Sequence, residues 1–130
     1  TAIRVEPAIE GQVKTPKVVP ITDRTKRVLQ ITGSLQPSQK IELDSIAEYL
    51  NRNPKSKLQI SGHWDNSCAD EEAEKKSNEI SSIVVNYLTK KGISRRRLLD
   101  VGLGSRQPMK DNRTAAGRKA NRRVEIQIIP

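Results

Sequence analysis

The chain has few of the residues on which catalytic and metal sites depend. Its 130 residues include one cysteine, Cys68, and one histidine, His63. A single cysteine excludes an internal disulfide and a cysteine-based zinc cluster. A single histidine removes most metal-binding and catalytic-triad arrangements, and no nucleophile–base pair stands at a recognisable spacing. We therefore predict a protein that is not an enzyme and that needs no cofactor.

Aromatic residues and long apolar runs are also scarce. Aromatic side chains make up 2% of the sequence, and phenylalanine is absent. This excludes a sheet of stacking aromatics for single-stranded nucleic acid and predicts an aliphatic core. No run of 18 apolar residues occurs, so we predict no membrane-spanning segment in this fragment. Because the chain begins at Thr1 rather than Met, we expect a processed or excised piece of a longer protein.

Positive charge is concentrated in the last third of the chain. The formal net charge is +9, yet residues 1–89 hold twelve basic and twelve acidic residues, so the whole excess lies in residues 90–130. Such a patch attracts polyanions, or it is a solvated basic face suited to an anionic cell envelope. With no groove-reading helix signature, nucleic-acid binding would be weak, non-specific and salt-dependent, and we predict no specific nucleic-acid partner.

The hydrophobic pattern alternates between strand and helix periods. Prolines in residues 1–27 predict an extended lead-in or linker that could add one edge strand. The elements predicted after it are strands at 28–31, 57–62, 98–103 and 124–129 and helices at 37–52 and 70–91, with a helical turn at 114–120. This β-α-β-α-β-β order predicts an α+β fold with two helices packed on one face of a mixed four-stranded sheet. Its two β-α-β crossovers predict parallel neighbouring strands.

Three stretches in order resemble motifs of the OmpA-like domain family. Residues 60–66 (ISGHWDN) resemble its GHTDN strand-to-loop motif, and residues 92–108 resemble its G-I…G-G…P stretch. Residues 112–126 (NRTAAGRKANRRVEI) are similar to its long closing signature, N-x-T-x-x-G-R-x-x-N-R-R-V-E. The resemblance covers about residues 28–129 and assigns residues 28–130 to an OmpA-like domain.

The resemblance implies a non-catalytic anchor to peptidoglycan in the periplasm of Gram-negative bacteria, at the outer membrane or cell wall. The family binds the diaminopimelate of the stem peptide, a zwitterion that needs a fixed carboxylate and a cation. Asp65 matches the family's ammonium-binding aspartate, with Asn66 beside it in the motif. Other envelope proteins are expected as further partners. The alternative is a degenerate domain that assembles with proteins and does not bind peptidoglycan.

The second helix departs from the family's pattern. Ile80 stands where the family has the arginine that holds the ligand carboxylate. An unpaired buried carboxylate costs about 1–3 kcal/mol, roughly tenfold to a few hundredfold in affinity. Lys76 lies one turn earlier on the same helix face and could replace the arginine, or it could pair only with Glu72. Arg118, Arg122 and Arg123 are further candidate cations.

The remaining candidates have both structural and functional interpretations. Trp64 replaces the usual threonine and could stack on a sugar or an alkyl stem, or be a partly buried loop aromatic. Asn121 is predicted to brace the turn into the last strand, and Arg122 to pair with acidic loop groups, with ligand contact as the lesser alternative. His63 is interpreted as a loop histidine whose hydrogen bonds are satisfied.

Overall fold

The computed structural model describes residues 26–31 and 33–130, so residues 1–25 of the predicted lead-in lie outside it. The elements are β1 (Arg27–Gln30), α1 (Pro37–Arg52), β2 (Lys57–Gly62), α2 (Asp70–Lys90), β3 (Leu98–Gly102), α3 (Ala115–Asn121) and β4 (Arg123–Ile129), with a 3-10 turn at Arg95–Arg97. The predicted α+β class and element order are confirmed, and the predicted helical turn is a third helix. No helix in the described ranges is long and apolar enough to cross a bilayer.

The sheet is mixed, with the strand order β1-β4-β2-β3. As predicted, β2 and β3 are parallel neighbours. The prediction that β1 and β2 are neighbours is wrong, because β4 lies between them and pairs antiparallel with both. The burial of Val124, Ile126 and Ile128 explains this position. A strand with so apolar an inner face is stabilised most where both of its edges are paired.

The core is aliphatic, as predicted, and lies between the sheet and the helices. Helix α1 contributes the predicted stripe of Leu43, Ile46, Ala47 and Leu50. Helix α2 buries Val85 fully, whereas Ile83 and Tyr87 are only partly covered. A helix that packs against both a sheet and a second helix buries more than one stripe.

Helix α2 approaches the sheet closely at two glycines. A Cβ atom on Gly62 would lie 2.0 Å from the carbonyl oxygen of Ser77, and one on Gly102 would lie 2.3 Å from Oδ1 of Asn78. A side chain at Gly62 would require the backbone of the helix to move, whereas one at Gly102 would first displace the side chains of Asn78 and Ser77. The two glycines therefore determine how α2 sits over the ends of β2 and β3, next to the loop at residues 63–69.

The 3-10 turn contains an arginine with a structural role. Arg97 donates hydrogen bonds to the carbonyl oxygens of Leu50, Asn53 and Ser56 at 2.8–3.0 Å. These carbonyls lie at the end of α1 and in the turn before β2, where backbone acceptors lack partners within the helix. Arg97 is therefore occupied in the fold, unlike the exposed Arg96 beside it.

The sheet face turned away from the helices buries one titratable side chain. His63 is 1% exposed, and neither ring nitrogen has a hydrogen-bond partner among the described residues. Its Nε2 lies 3.8 Å from Oε1 of Glu125, which is too long for a hydrogen bond. The prediction of a satisfied loop histidine is wrong, because β2 alternation carries residue 63 to the sheet face with Gln59 and Ser61. Burial, aided by the charge of Arg123, lowers the pKa of His63 to about 4.

We expect Arg97→Ala to lower the free energy of unfolding by about 1–3 kcal/mol, since three carbonyl groups lose their donor. Arg96→Ala is the matched control and should change it by less than about 0.5 kcal/mol. Urea unfolding at neutral pH measures both. Equal small effects would show that the Arg97 hydrogen bonds contribute nothing net.

We expect the stability to fall by about 2 kcal/mol between pH 7 and pH 5, since unfolding lets His63 take up a proton that the fold excludes. The folded pKa lies below the unfolded value, so this stabilisation is present above pH 6.5 and lost toward pH 4. His63→Gln should remove most of this dependence in urea unfolding. A His63 ring that titrates near the ordinary histidine pKa of 6.5 in an NMR titration of the folded protein would contradict the prediction.

Candidate functional site

Asp65 lies in the loop that follows β2 and has no exposed surface. Its Oδ1 accepts hydrogen bonds from the backbone N–H of Ser67, at 2.8 Å, and from the Ser67 hydroxyl. Its Oδ2 accepts a hydrogen bond from Nε of Arg122, the residue just before β4. The loop is also bonded to the segment after β3, because the N–H of Trp64 donates to the carbonyl oxygen of Gly104 at 2.8 Å.

The Asp65 carboxyl is ionised at neutral pH. Burial acts to raise its pKa, but the hydrogen bonds from Ser67 and Arg122 and the charge of Arg122 outweigh burial. The net effect is a lowered pKa, since all of these donors favour the charged form. The site therefore contains one fixed negative charge in a covered position.

Two cations lie against the indole ring of Trp64. The Lys76 ammonium nitrogen is 5.5 Å from the ring centroid, and the Arg122 guanidinium carbon is 5.4 Å from it. Both distances fall in the range of attractive cation–π contacts. The ring is therefore partly buried and already has two cation contacts. The structure thus brings Trp64, Asp65, Lys76 and Arg122 together.

Lys76 and Ile80 have different surroundings although they share α2. Ile80 is 6% exposed and belongs to the hydrophobic core. Lys76 is half-buried over Trp64, and within the described part of the chain it forms no ion pair with Glu72. Residue 80, the position predicted to correspond to the family's arginine, thus contributes apolar packing here, and Lys76 lies one turn earlier on the helix.

Asn121 and Arg118 hold the loop that precedes α3. The Asn121 carboxamide accepts from the backbone N–H groups of Met109 and Lys110 and donates to Lys110 O and Asn112 Oδ1. Arg118 donates to the carbonyl oxygen of Asn112 at 2.9 Å. Both side chains are therefore engaged within residues 107–121, apart from the group around Trp64.

One contributor could not be singled out by local pattern, since Ser67 supplies two of the donors to Asp65. Arg123, a predicted candidate cation, instead forms an ion pair with Glu125 at 2.8 Å. The Asx-type contact of Ser67 is common in loops, so its presence in the motif carried no specific signal. Asn66 is exposed at the rim of the site. In the described chain, no group of three or more metal-ligating side chains is present.

Comparison with known proteins places this geometry in a family. Residues 30–122 match the model of the OmpA family. The peptidoglycan-binding protein ArfA of Mycobacterium bovis is 31% identical over 123 residues, which are 87% of this chain and 38% of that protein. The chain spans about a third of the length of the curated relatives that it matches, 29% for porin F of Pseudomonas fluorescens.

Solved structures show the same fold. The peptidoglycan-associated lipoprotein of Burkholderia pseudomallei superposes with a TM-score of 0.74 at 22% identity, covering 78% of this chain and 89% of that one. The cell wall anchor of the T6SS from Pseudomonas aeruginosa superposes with a TM-score of 0.60 at 28% identity, covering 75% and 70%. The family match spans more than half of the sequence, and the chain therefore belongs to the OmpA family.

Proposed function

We propose that this domain binds peptidoglycan without chemistry, through the diaminopimelate of the stem peptide, and so anchors a larger envelope protein to the cell wall. The observation that carries the proposal is the ionised Asp65 beside the cations Arg122 and Lys76. A carboxylate next to two cations complements a zwitterion with one ammonium and carboxylates. ArfA is a peptidoglycan-binding protein and the T6SS protein is a cell wall anchor, which supports peptidoglycan as the ligand and anchoring as the role.

Binding at this site involves an exchange of partners. Asp65 is covered, so a ligand ammonium reaches its carboxylate when the Arg122 side chain, 36% exposed, turns away. The Trp64 ring keeps the displaced guanidinium near the site, where it can bind a ligand carboxylate bidentately. Lys76 adds a second positive charge in place of the arginine that Ile80 replaces.

We place the domain in the periplasm of a Gram-negative bacterium, associated with the outer membrane or cell wall. The second candidate function is a protein-assembly module that does not bind peptidoglycan. The internal pairing of Asp65 with Arg122 and the burial of Ile80 favour this alternative, since the ion pair then serves only the fold. Binding to purified cell wall separates the two functions.

We expect the chain to co-sediment with purified peptidoglycan sacculi at low and at high salt. Asp65→Asn should weaken this binding at least about tenfold, because the substitution keeps the shape and removes the charge that pairs with the ammonium. Asp111→Asn is the matched control, since that aspartate pairs with the exposed Arg113. Thermal unfolding of each variant tests that the fold is intact.

Binding that ignores Asp65→Asn and is lost at high salt would contradict the proposal and assign the attraction to basic surface residues. No binding at either salt would leave the protein-assembly function, and a saturable protein partner should then be sought.

We expect Lys76→Ala to weaken the binding of a diaminopimelate-containing tripeptide about three- to tenfold in a calorimetric titration, since one partly exposed cation is lost. Lys75→Ala, on the exposed side of the same helix, is the matched control and should leave the affinity unchanged. An equal affinity of wild type and Lys76→Ala would remove Lys76 from the site and leave Arg122 as its cation.

A further inference from the structure

A cavity of about 130 Å³ opens on the sheet face away from the helices, on the side opposite the core. Its lining is almost entirely polar and is formed chiefly by Gln59, Ser61, His63, Gln107, Glu125 and Gln127. Most of these residues come from β2 and β4, so the walls are built on strands rather than on loops. At roughly 30 Å³ per water molecule, the cavity holds about four waters or one small polar group.

The buried wall of the cavity is the ring of His63. Both ring nitrogens are without a hydrogen-bond partner in the described chain although the residue is 1% exposed. Buried polar atoms are almost always satisfied, so the ring needs a partner that the described residues do not supply. Because the ring is neutral at physiological pH, it offers one donor and one acceptor.

The charged groups in this wall already pair with one another. Glu125 accepts from Arg123 at 2.8 Å and forms an ion pair with Lys26 at 3.2 Å. Arg123 also donates to the backbone carbonyls of Gln107 and Asn121. The groups that remain for a ligand are therefore neutral carboxamides, a hydroxyl and an imidazole, each of which can donate and accept. Such a lining favours neither a metal ion nor an anion.

We propose that this cavity is a second binding site, which takes the hydroxyl and acetamide groups of a neutral N-acetylated sugar. A carboxamide and hydroxyl lining matches a ligand that carries amide and hydroxyl groups around one ring. The cavity accepts the acetamide arm and a neighbouring hydroxyl, while the rest of the sugar lies over Gln59 and Gln127.

The position of the cavity suits a polymer that carries both sugars and peptides, and in this respect the inference rests on the proposed function. The backbone N–H of His63 donates to the carbonyl oxygen of Arg123 at 2.8 Å. Asp65 lies two residues after His63, and its partner Arg122 lies one residue before Arg123. One pair of chain segments thus contributes to both sites. Ligands at the two sites would therefore contact neighbouring parts of the same two chain segments.

The test is an NMR titration of the whole chain with N,N′-diacetylchitobiose, a sugar that has no stem peptide. We expect saturable shifts of the Gln59 and Gln127 side-chain amides and of the His63 ring. The double substitution Gln59→Ala/Gln127→Ala should weaken binding at least about fivefold, because two exposed amide partners are lost. Gln30→Ala, an exposed glutamine on β1, is the matched control.

No shift at tens of millimolar sugar, or an affinity that the double substitution does not change, would overturn the inference and leave only ordered water in the cavity. A diaminopimelate-containing tripeptide added in a separate titration should shift Trp64 and not Gln59. Tripeptide binding without sugar binding would refute the second site and leave the proposed function intact. Sugar binding without tripeptide binding would support the second site and refute the proposed binding of diaminopimelate at Asp65.

Discussion

The ion pair between Asp65 and Arg122 is the interaction on which the rest of the site depends. It joins the loop after β2 to the residue that leads into β4, two segments far apart in sequence and adjacent in space. Ser67 completes the donors around the carboxylate, and Trp64 places the guanidinium from the other side. A buried charge is stable only when it is paired and hydrogen-bonded, so the loop has one favourable conformation.

Helix α2 contributes neighbouring positions to the core and to the site. Ile80 packs into the core and stabilises the contact of α2 with the sheet. Lys76, one turn earlier on the same helix, lies against the Trp64 ring, and Arg122 contacts the same ring from the residue before β4. The cations around Trp64 therefore come from the helix and from the segment that enters β4.

Much of the fold was predictable from local pattern. The strand at 57–62 and the helix at 37–52 have the expected bounds, because proline, glycine and apolar spacing act within a few residues. The place of β4 between β1 and β2 was not predictable from the crossovers, since strand order depends on pairing across the whole chain. For the site, the motif resemblance singled out Asp65, whereas the cation contacts of Trp64 and the unpartnered ring of His63 required the packed structure.

The central position of β4 has a consequence for how the domain forms. Among the described residues, β1 and β2 are joined through this seven-residue strand, which follows both of them in the sequence. Before β4 is in place, β2 and β3 can pair with each other, whereas β1 has no partner among the described strands. Such non-local closure slows folding and leaves unpaired strand edges accessible to other chains in the meantime. Incorporation of β1 into the sheet therefore has to wait for β4.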